Sequence, residues 1–190
     1  MTFPEQYRAQ LLDTIQSLDL AQIQRAIDLL AQARDEGRRI FTFGNGGSAS
    51  AASHFATDMV KGASFGRDKR FRIMALTDSL PTITAYSNDV SYDCIFAEQL
   101  KNFAEPGDVV IAISGSGNSP NVLCAVEYAK SIGCKTIALT GRDGGKLGPL
   151  ADLNLQVAHP HMGRIEDAHL IMLHMIGYYF MEAEHAGKTA

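Results

Sequence analysis

Residues 41–48 read Phe41-Thr42-Phe43-Gly44-Asn45-Gly46-Gly47-Ser48, an apolar run, then a glycine-rich turn, then a serine that can open a helix. The pattern returns at residues 111–119, which read Ile111-Ala112-Ile113-Ser114-Gly115-Ser116-Gly117-Asn118-Ser119. The first amide groups of a helix have no partner within it, and the helix dipole favours negative charge there. Glycine lets the backbone approach a ligand, and serine adds a hydroxyl donor. Two such turns on one parallel sheet predict an anion site, and phosphate is the anion that we expect there.

The two turns differ in how strongly they indicate a ligand. The first lacks the spacing of a dinucleotide fingerprint and the lysine of a Walker loop. Taken alone, it is equally consistent with a tight turn capped by Ser48. The second places Ser114, Ser116 and Ser119 within six residues, which is more hydroxyls than one helix cap requires. A third glycine cluster, at 140–145, is interpreted as a turn, with an anion contact by Arg142 as the alternative.

Helical and strand patterns alternate along the chain. Helical periodicity runs from about residue 4 to 34, with a break near Leu18 after which Asp19 caps a second helix. The sequence then predicts strands at 39–43, 72–76, 108–113, 135–139 and 152–157. It predicts helices at 48–61, 80–86, 92–103, 119–132 and 164–184, and a short helical turn at 144–150.

This alternation predicts the α/β class, as a three-layer αβα sandwich around a five-stranded parallel sheet. The 190 residues predict one domain, 1–190, in which residues 1–36 form a helical segment that packs on the sheet or on a partner subunit. Ligands of such sheets bind at the carboxyl ends of the strands. Both serine-bearing turns are predicted to lie there.

Composition narrows the class of protein. A net charge of −4 argues against nucleic-acid and membrane-surface binding. Residues 1–20 are polar and amphipathic, unlike a signal peptide, and no apolar run approaches the length of a membrane span. The three cysteines, Cys94, Cys124 and Cys134, lack metal-ligand spacing and are interpreted as reduced core thiols. We therefore expect a cytoplasmic protein.

Two helices carry candidates for chemistry. His54 and Asp58 are four residues apart, which places them on one helix face about 6 Å from each other. His54 lies about 9 Å along the axis from Ser48, so a phosphate at the helix start leaves a sugar chain along this face. The last helix offers Glu166, His169 and His174, of which Glu166 and His174 can face one pocket. Together with the first pair, these two form a candidate metal set or acid–base pair.

Each candidate has an ordinary structural alternative. His54 is equally consistent with a hydrogen-bonded histidine, and Asp58 with a surface acid. Glu166 in a first helical turn suits the helix dipole. His174 lies in an apolar run, so it is either exposed on the other face of the helix or has a functional role. The histidines of 159–161 form a weaker alternative metal site, or part of a loop.

Nearly the whole chain resembles the sugar isomerase (SIS) domain superfamily and, within it, the phosphoheptose isomerases. The motifs that carry the resemblance are residues 44–48, 54–56, 88–89, 106–122, 139–146, and 164–165 leading to His174. The resemblance implies a flavodoxin-like three-layer fold and a homotetramer with sites between subunits. It implies a cytoplasmic isomerase that converts sedoheptulose 7-phosphate to D-glycero-D-manno-heptose 7-phosphate through an enediolate, often with Zn²⁺.

The resemblance also assigns roles. The phosphate-binding positions are Ser48, Ser114, Ser116 and Ser119. Further substrate-binding positions are Asn45, Gly46, Gly47, Asn88, Asp89, Gly115 and Glu166. The metal positions are His54, Asp58, Glu166 and His174, for Zn²⁺ or another divalent metal. Asp58 stands at the position of the catalytic base, and His174 at that of the acid–base residue.

Three positions depart from the family pattern. Asp58 replaces a glutamate, so base and metal ligand remain competing roles for it. Glu166 replaces a glutamine, which favours a cation and repels an anionic intermediate. Gly115 replaces a threonine and removes one hydroxyl. The alternatives are therefore an isomerase for another sugar phosphate, or a non-catalytic protein that binds phosphosugars or assists replication initiation.

Overall fold

Strands and helices alternate as the sequence predicts in the computed structural model, which describes residues 1–184. The strands are β1 (Arg39–Gly44), β2 (Arg72–Ala75), β3 (Val109–Ser114), β4 (Lys135–Gly141) and β5 (Leu153–Val157). The helices are α1 (Phe3–Gln16), α2 (Leu20–Asp35), α3 (Gly47–Thr57), α4 (Leu80–Asp89), α5 (Ile95–Phe103), α6 (Pro120–Ser131), α7 (Leu147–Leu150) and α8 (Met162–Tyr178). Between them, short 3₁₀ turns cover Leu76–Asp78 and Tyr92–Cys94.

The five strands form one parallel sheet in the order β2-β1-β3-β4-β5. The helices that follow β1 and β3 lie on opposite faces. Phe55 of α3 belongs to the same core cluster as Ile111, whereas Val122 of α6 belongs to the cluster that contains Val110. A crevice therefore opens where the carboxyl ends of β1 and β3 part, which is the usual ligand position in such sheets.

The N-terminal helices differ in how they pack. Asp19 caps α2 as predicted, because its carboxylate accepts hydrogen bonds from the backbone of residues 21 and 22. α2 buries Ile23, Ile27 and Leu30 in the core on the sheet face that α3 and α8 also cover. Of the α1 side chains only Thr14 is buried, and the helix rests on α8. The sheet is thus the packing partner of α2, while α1 forms an outer layer.

Two helices end in a wider turn than the sequence predicts. The helix predicted at 48–61 is α-helical to Thr57 and continues as a π-helical turn over Asp58–Gly62. The last helix, predicted to run to 184, is α-helical to Tyr178 and continues as a π-helical turn over Tyr179–Ala183. A π turn holds one more residue than an α turn, and apolar periodicity does not reveal where it begins.

The cysteines are free, but they are not all in the core. Cys134 is buried, and burial raises the pKa of its thiol to about 11. Cys94 is half-buried, and Cys124 is exposed because α6 turns this position outward. The prediction of a core thiol is therefore wrong for Cys124. Within residues 1–184, no helix has the length and hydrophobicity needed to cross a bilayer.

Candidate active site

The two serine-bearing turns lie side by side at the crevice. β1 and β3 pair in register, with Gly44 opposite Ile113. A β-carbon on Gly44 would lie 2.7 Å from the carbonyl oxygen of Ile113 and 2.7 Å from the β-carbon of Ser48. Glycine is therefore required where the two strand ends and the start of α3 meet. The predicted convergence of the two turns is present within a single chain.

A pair of side-chain amides fastens the first turn to the start of α6. Asn45 Nδ2 donates to Asn121 Oδ1 at 2.9 Å, and Asn121 Nδ2 donates to Asn45 Oδ1 at 2.9 Å. The hydroxyl of Tyr92 also donates to Asn45 Oδ1, at 2.9 Å. Because Asn121 is buried, the pair is shielded and fixes the separation of the two turns.

The start of α3 differs from the prediction in one respect. Gly46, with φ of 54°, precedes the first helical residue, so Ser48 lies inside the first turn and is not its cap. No side chain accepts from the first amides of α3. Ser48 is itself buried. The amides of Ser48 and Ala49 donate to the carbonyl of Asn45, so among the described residues the N–H groups of Gly46 and Gly47 are the ones left for a ligand, as an anion site requires.

The hydroxyls of the second turn form a cluster. Ser114 Oγ lies 3.1 Å from Ser119 Oγ and 3.4 Å from Ser116 Oγ. Ser119 precedes α6, yet its side chain makes no capping hydrogen bond. A hydroxyl can rotate its proton, so the cluster can turn several donors toward one anion.

The third glycine cluster supports the second turn. A β-carbon on Gly117, whose φ is +64°, would lie 2.1 Å from the carbonyl oxygen of Gly144. The amide of Leu147 donates to the carbonyl of Gly117 at 2.9 Å. Arg142 has a φ of 55° and lines a cavity of about 710 Å³ together with Ser116. The cluster is therefore a turn, as predicted, and its arginine lies in a cavity that the second turn also lines.

Three of the four predicted metal ligands meet at one point. His54 Nε2 lies 3.2 Å from Asp58 Oδ2 and 3.0 Å from His174 Nε2. His174 Nε2 lies 3.9 Å from the same carboxylate oxygen. These residues are the one group in the described chain whose ligand atoms converge in this way. Asp58 is the first residue of the π turn, so the wider turn helps to set where its carboxylate lies.

The donor set of this group fits zinc. Imidazole nitrogens and a carboxylate oxygen are ordinary zinc ligands, with bonds of about 2.0–2.2 Å. A point equidistant from three atoms with the separations found here lies about 2.0 Å from each of them. All three side chains are partly exposed, which leaves an open side for a further ligand. A catalytic zinc site has this form: three protein ligands and one open position.

The fourth predicted ligand, Glu166, lies elsewhere. Its Oε1 is 3.0 Å from the position that a β-carbon on Gly47 would take, at the amino end of α3. Eight residues separate it from His174, which is about 12 Å of helix rise. α3 and α8 thus run alongside each other in the same direction, with Glu166 beside Gly47 and His174 beside His54. The structure brings Glu166 to the first serine turn and not to the metal group.

The remaining predicted positions are placed as follows. Asn88 and Asp89 end α4, are exposed and hydrogen-bond each other, and Tyr92 links this region to Asn45. Gly115 packs under α8, since a β-carbon there would lie 2.6 Å from the sulfur of Met162. A side chain at this position therefore requires Met162 to move.

His169 is a core residue. It is 1 % exposed, and its Nε2 lies 3.0 Å from the carbonyl oxygen of Thr140. Burial lowers the pKa of its imidazole to about 4, against a weaker opposing effect of that hydrogen bond. The ring is therefore neutral at ordinary pH, donates from Nε2, and is turned away from the metal group.

Sequence reasoning missed three residues that shape this region. Asn121 and Tyr92 hold the first turn, and Arg164 lies buried at the start of α8. Asn121 had a signal, because a polar residue directly after Ser119-Pro120 points back toward the turn. Tyr92 had none, and Arg164 entered only through the motif at 164–165, which does not reveal its burial, since the contacts of both depend on how distant helices pack.

Comparisons with known proteins agree with this geometry. The model of the SIS domain family matches residues 5–141. A phosphoheptose isomerase from Aliarcobacter butzleri is 40% identical over 172 residues, which cover 88% of this chain and 86% of the relative. A probable phosphoheptose isomerase from Thermoplasma acidophilum is 42% identical over 160 residues, covering 84% of this chain and 87% of that protein.

Solved structures match over almost the full length. The phosphoheptose isomerase of Neisseria gonorrhoeae superposes with a TM-score of 0.84 and 32% identity, covering 94% of this chain and 98% of that one. The enzyme from Francisella tularensis gives a TM-score of 0.86 and 28% identity, covering 96% and 100%. The predicted α/β sandwich is thereby confirmed. The chain belongs to the SIS domain family and, within it, to the phosphoheptose isomerases.

Proposed function

We propose that this protein is an aldose–ketose isomerase that interconverts sedoheptulose 7-phosphate and D-glycero-D-manno-heptose 7-phosphate. One observation carries the proposal. α3 begins at the serine crevice and leads, within two turns, to a His–Asp–His group that α8 completes. An anion site and an acid–base or metal site therefore lie along one pair of helices. The phosphoheptose isomerases among the relatives support the same activity.

The crevice holds the phosphate and the helices orient the rest of the sugar. Ser48, Ser114, Ser116 and Ser119 donate to the phosphoryl oxygens together with the first amides of α3. Asn45, Gly46, Gly47, Gly115, Asn88, Asp89 and Glu166 complete the substrate-binding set. His54 lies about 9 Å along α3 from Ser48, a distance that an open-chain heptose phosphate can span. The carbonyl end of the sugar then lies at the His–Asp–His group.

The proton transfers use two side chains. Asp58 takes a proton from C1 of the ketose, and the C1–H electrons form the C1–C2 double bond of the enediolate. His174 passes a proton from the C1 oxygen to the C2 oxygen, and C2 receives the proton that Asp58 removed. Both imidazoles approach Oδ2 of Asp58, so Oδ1 is the oxygen left for the C1 proton. One carboxylate can in this way serve as ligand and as base.

A divalent cation is part of the proposal. His54, Asp58 and His174 would hold Zn²⁺, whereas Glu166, which the family resemblance also implies as a ligand, lies beside Gly47 in this chain. When bound, the ion supplies polarisation of the substrate carbonyl. His54 and His174 place their Nε2 atoms 3.0 Å apart, a contact that a shared proton or a shared cation explains.

We also propose that the protein is a single-domain, cytoplasmic homotetramer whose sites lie between subunits. The outer helix α1 leaves Phe3 and Leu12 exposed. A partner subunit would cover them, and the segment 1–36 would then serve assembly as well as packing. Three free cysteines suit a reducing compartment.

Turnover of sedoheptulose 7-phosphate tests the function. Wild-type protein is incubated with the sugar, with added Zn²⁺ or after chelator treatment, and the aldose product is quantified. We expect product with zinc and at least a hundredfold less from Asp58→Ala, because the base is removed. Asp28→Asn, at an exposed position of α2, is the matched control and should retain full activity. Absence of product with and without zinc contradicts the proposal.

A second candidate is an isomerase of another sugar phosphate. Gly115 beneath Met162 and Glu166 beside Gly47 favour it, since both alter the lining of the crevice. A panel of hexose and heptose phosphates separates the two candidates by kcat/KM. Binding without turnover of any member identifies the non-catalytic alternative.

A further inference from the structure

Arg164 is a largely buried cation for which residues 1–184 provide no ion-pair partner. Its side chain begins in the first turn of α8, and the residue is 7 % exposed. Its Nε is buried without a hydrogen-bond acceptor, and no residue from 1 to 184 forms an ion pair with the guanidinium. The guanidinium stacks 4.8 Å from the centre of the Tyr7 ring. That contact offsets only part of what it costs to bury an unpaired charge.

The guanidinium lines a cavity of about 600 Å³ between α1 and the segment that joins β5 to α8. Gln10, Asp13 and Ser17 form the opposite wall from one face of α1. A volume of this size is within the usual range of small-molecule sites, about 300–1,000 Å³. No residue of the two serine-bearing turns lines it, so this cavity is distinct from the crevice.

The walls beside Arg164 favour negative charge. α8 has 17 residues, begins beside the cavity, and has neither a side-chain cap nor an acidic residue in its first turn. Its amino end therefore carries unpaired N–H groups and the positive end of the helix dipole. His159 Nδ1 accepts from the amide of His161 at 2.9 Å, which places the proton of the neutral ring on Nε2 as a donor.

The facing wall favours hydroxyl groups. Asp13 contributes a carboxylate to the cavity, and it is too far from Arg164 to form an ion pair. A ligand that is only an anion would be repelled by this carboxylate. A ligand with an anionic end and hydroxyl groups satisfies both walls, because hydroxyls donate to the carboxylate of Asp13 and to the amide oxygen of Gln10.

We propose that this cavity binds a small phosphate monoester of a polyhydroxylated compound, at a second site in addition to the crevice. The phosphoryl group lies against Arg164 and the amino end of α8, and the hydroxyls lie against α1. A guanidinium presents paired donors that match phosphate oxygens. The inference stands whether or not the crevice carries out isomerisation.

Binding stoichiometry tests the proposal. Ribitol 5-phosphate is the probe, because it has no carbonyl and cannot be isomerised. Calorimetric titration of the wild-type protein should give two sites per chain. A Ser114→Ala, Ser119→Ala double variant should retain one site, and adding Arg164→Met to it should weaken that site at least tenfold, as loss of a charge-assisted bond predicts. A double variant without residual binding overturns the proposal.

Asp13→Asn gives an independent reading in case Arg164→Met fails to fold. Asp13 is exposed, so the substitution leaves the core intact. Introduced into the serine double variant, it should raise affinity for inorganic phosphate several-fold, since a like charge is removed. It should also reduce the ratio of the affinity for ribitol 5-phosphate to the affinity for inorganic phosphate. Asp28→Asn, introduced the same way, is the charge-matched control and should change neither value. Unchanged affinities in Asp13→Asn count against the site.

A carboxylate from a second copy of the chain is the rival partner of Arg164. Unfolding midpoints and molar mass without phosphate decide between them. Without ligand, we expect the unfolding midpoint of Arg164→Met to be no lower than that of wild type, because the substitution removes an unpaired charge. We also expect ribitol 5-phosphate to raise the midpoint of wild type and not that of the variant. A lower midpoint together with a smaller assembly shows that the partner is protein and overturns the proposal. Turnover of sedoheptulose 7-phosphate, measured separately, decides the isomerase function.

Discussion

Gly117→Ala is expected to disrupt the second serine turn by a contact that no rotation relieves. A β-carbon at this position would lie 2.1 Å from the carbonyl oxygen of Gly144 and 2.6 Å from the carbonyl carbon. Both atoms are backbone, so relief requires the glycine cluster at 140–145 to move. Leu147 and Lys146, which donate to Gly117 O and Asn118 Oδ1, would move with it.

The magnitude follows from separating two costs. A left-handed φ costs a residue with a side chain about 1–2 kcal/mol, partly offset by the stiffer unfolded chain. The backbone collision adds about 1–3 kcal/mol, as for overpacked cores. Gly37 isolates the first cost, since its φ is +69° and nothing lies within 4 Å of its β-carbon position. We therefore expect a loss of about 2–4 kcal/mol for Gly117→Ala and about 1 kcal/mol for Gly37→Ala.

Thermal unfolding at fixed protein concentration measures the difference. For a chain of this size, 1 kcal/mol corresponds to about 2–4 °C, so Gly117→Ala should melt about 4–16 °C lower than wild type. Inorganic phosphate should also bind it more weakly, because the hydroxyl cluster is displaced. Equal melting temperatures for the two variants would refute the argument, because they would show that the turn moves away from Gly144 without cost.

Three further outcomes are expected. His174→Ala should lower the zinc content after dialysis to well below one ion per chain, as measured by elemental analysis. It should also lower turnover in the isomerase assay by a hundredfold or more, whereas the control His159→Ala should retain the metal. Ser119→Ala should raise KM for the sugar phosphate about tenfold or more with little change in kcat, while Ser131→Ala at the far end of α6 should not. The pKa of His169 is about 4 in the folded protein, below its ordinary value, so the unfolded chain binds more protons in the range between the two values. The free energy of unfolding should therefore fall by about 3 kcal/mol as the pH drops from about 6.5 to 4. Urea titrations across that range should give a flatter profile for His169→Gln.

The sheet was predictable because its strands leave a local signal. Each is a short apolar run bounded by glycine or polar turns, as in residues 109–114, and buried parallel strands require that composition. The adjacency of the two serine turns also follows from sequence, given the rule that ligands bind at carboxyl strand ends. His54 and Asp58 were placed together by helix spacing alone.

The rest depends on contacts between distant segments. The π turn that starts at Asp58 adds a residue to one turn without changing the apolar pattern. Glu166 lies beside Gly47 because α3 and α8 pack in the same direction, which no local spacing reveals. The burial of Arg164 results from α1 crossing the start of α8. The apolar neighbours of Cys124 in the sequence do not reveal that α6 turns this position outward.

Because α3 and α8 run side by side in the same direction, they fix the distance between the serine crevice and the His–Asp–His group. Helix rise sets the axial interval between the backbone of Ser48 and the backbone of His54, and rotamer changes leave that interval unchanged. A sugar one carbon shorter, gripped by its phosphate, would hold its carbonyl short of the imidazoles even if every hydroxyl contact were kept. Discrimination by chain length then resides in the backbone, and an evolutionary change of substrate size would call for an insertion or deletion in α3.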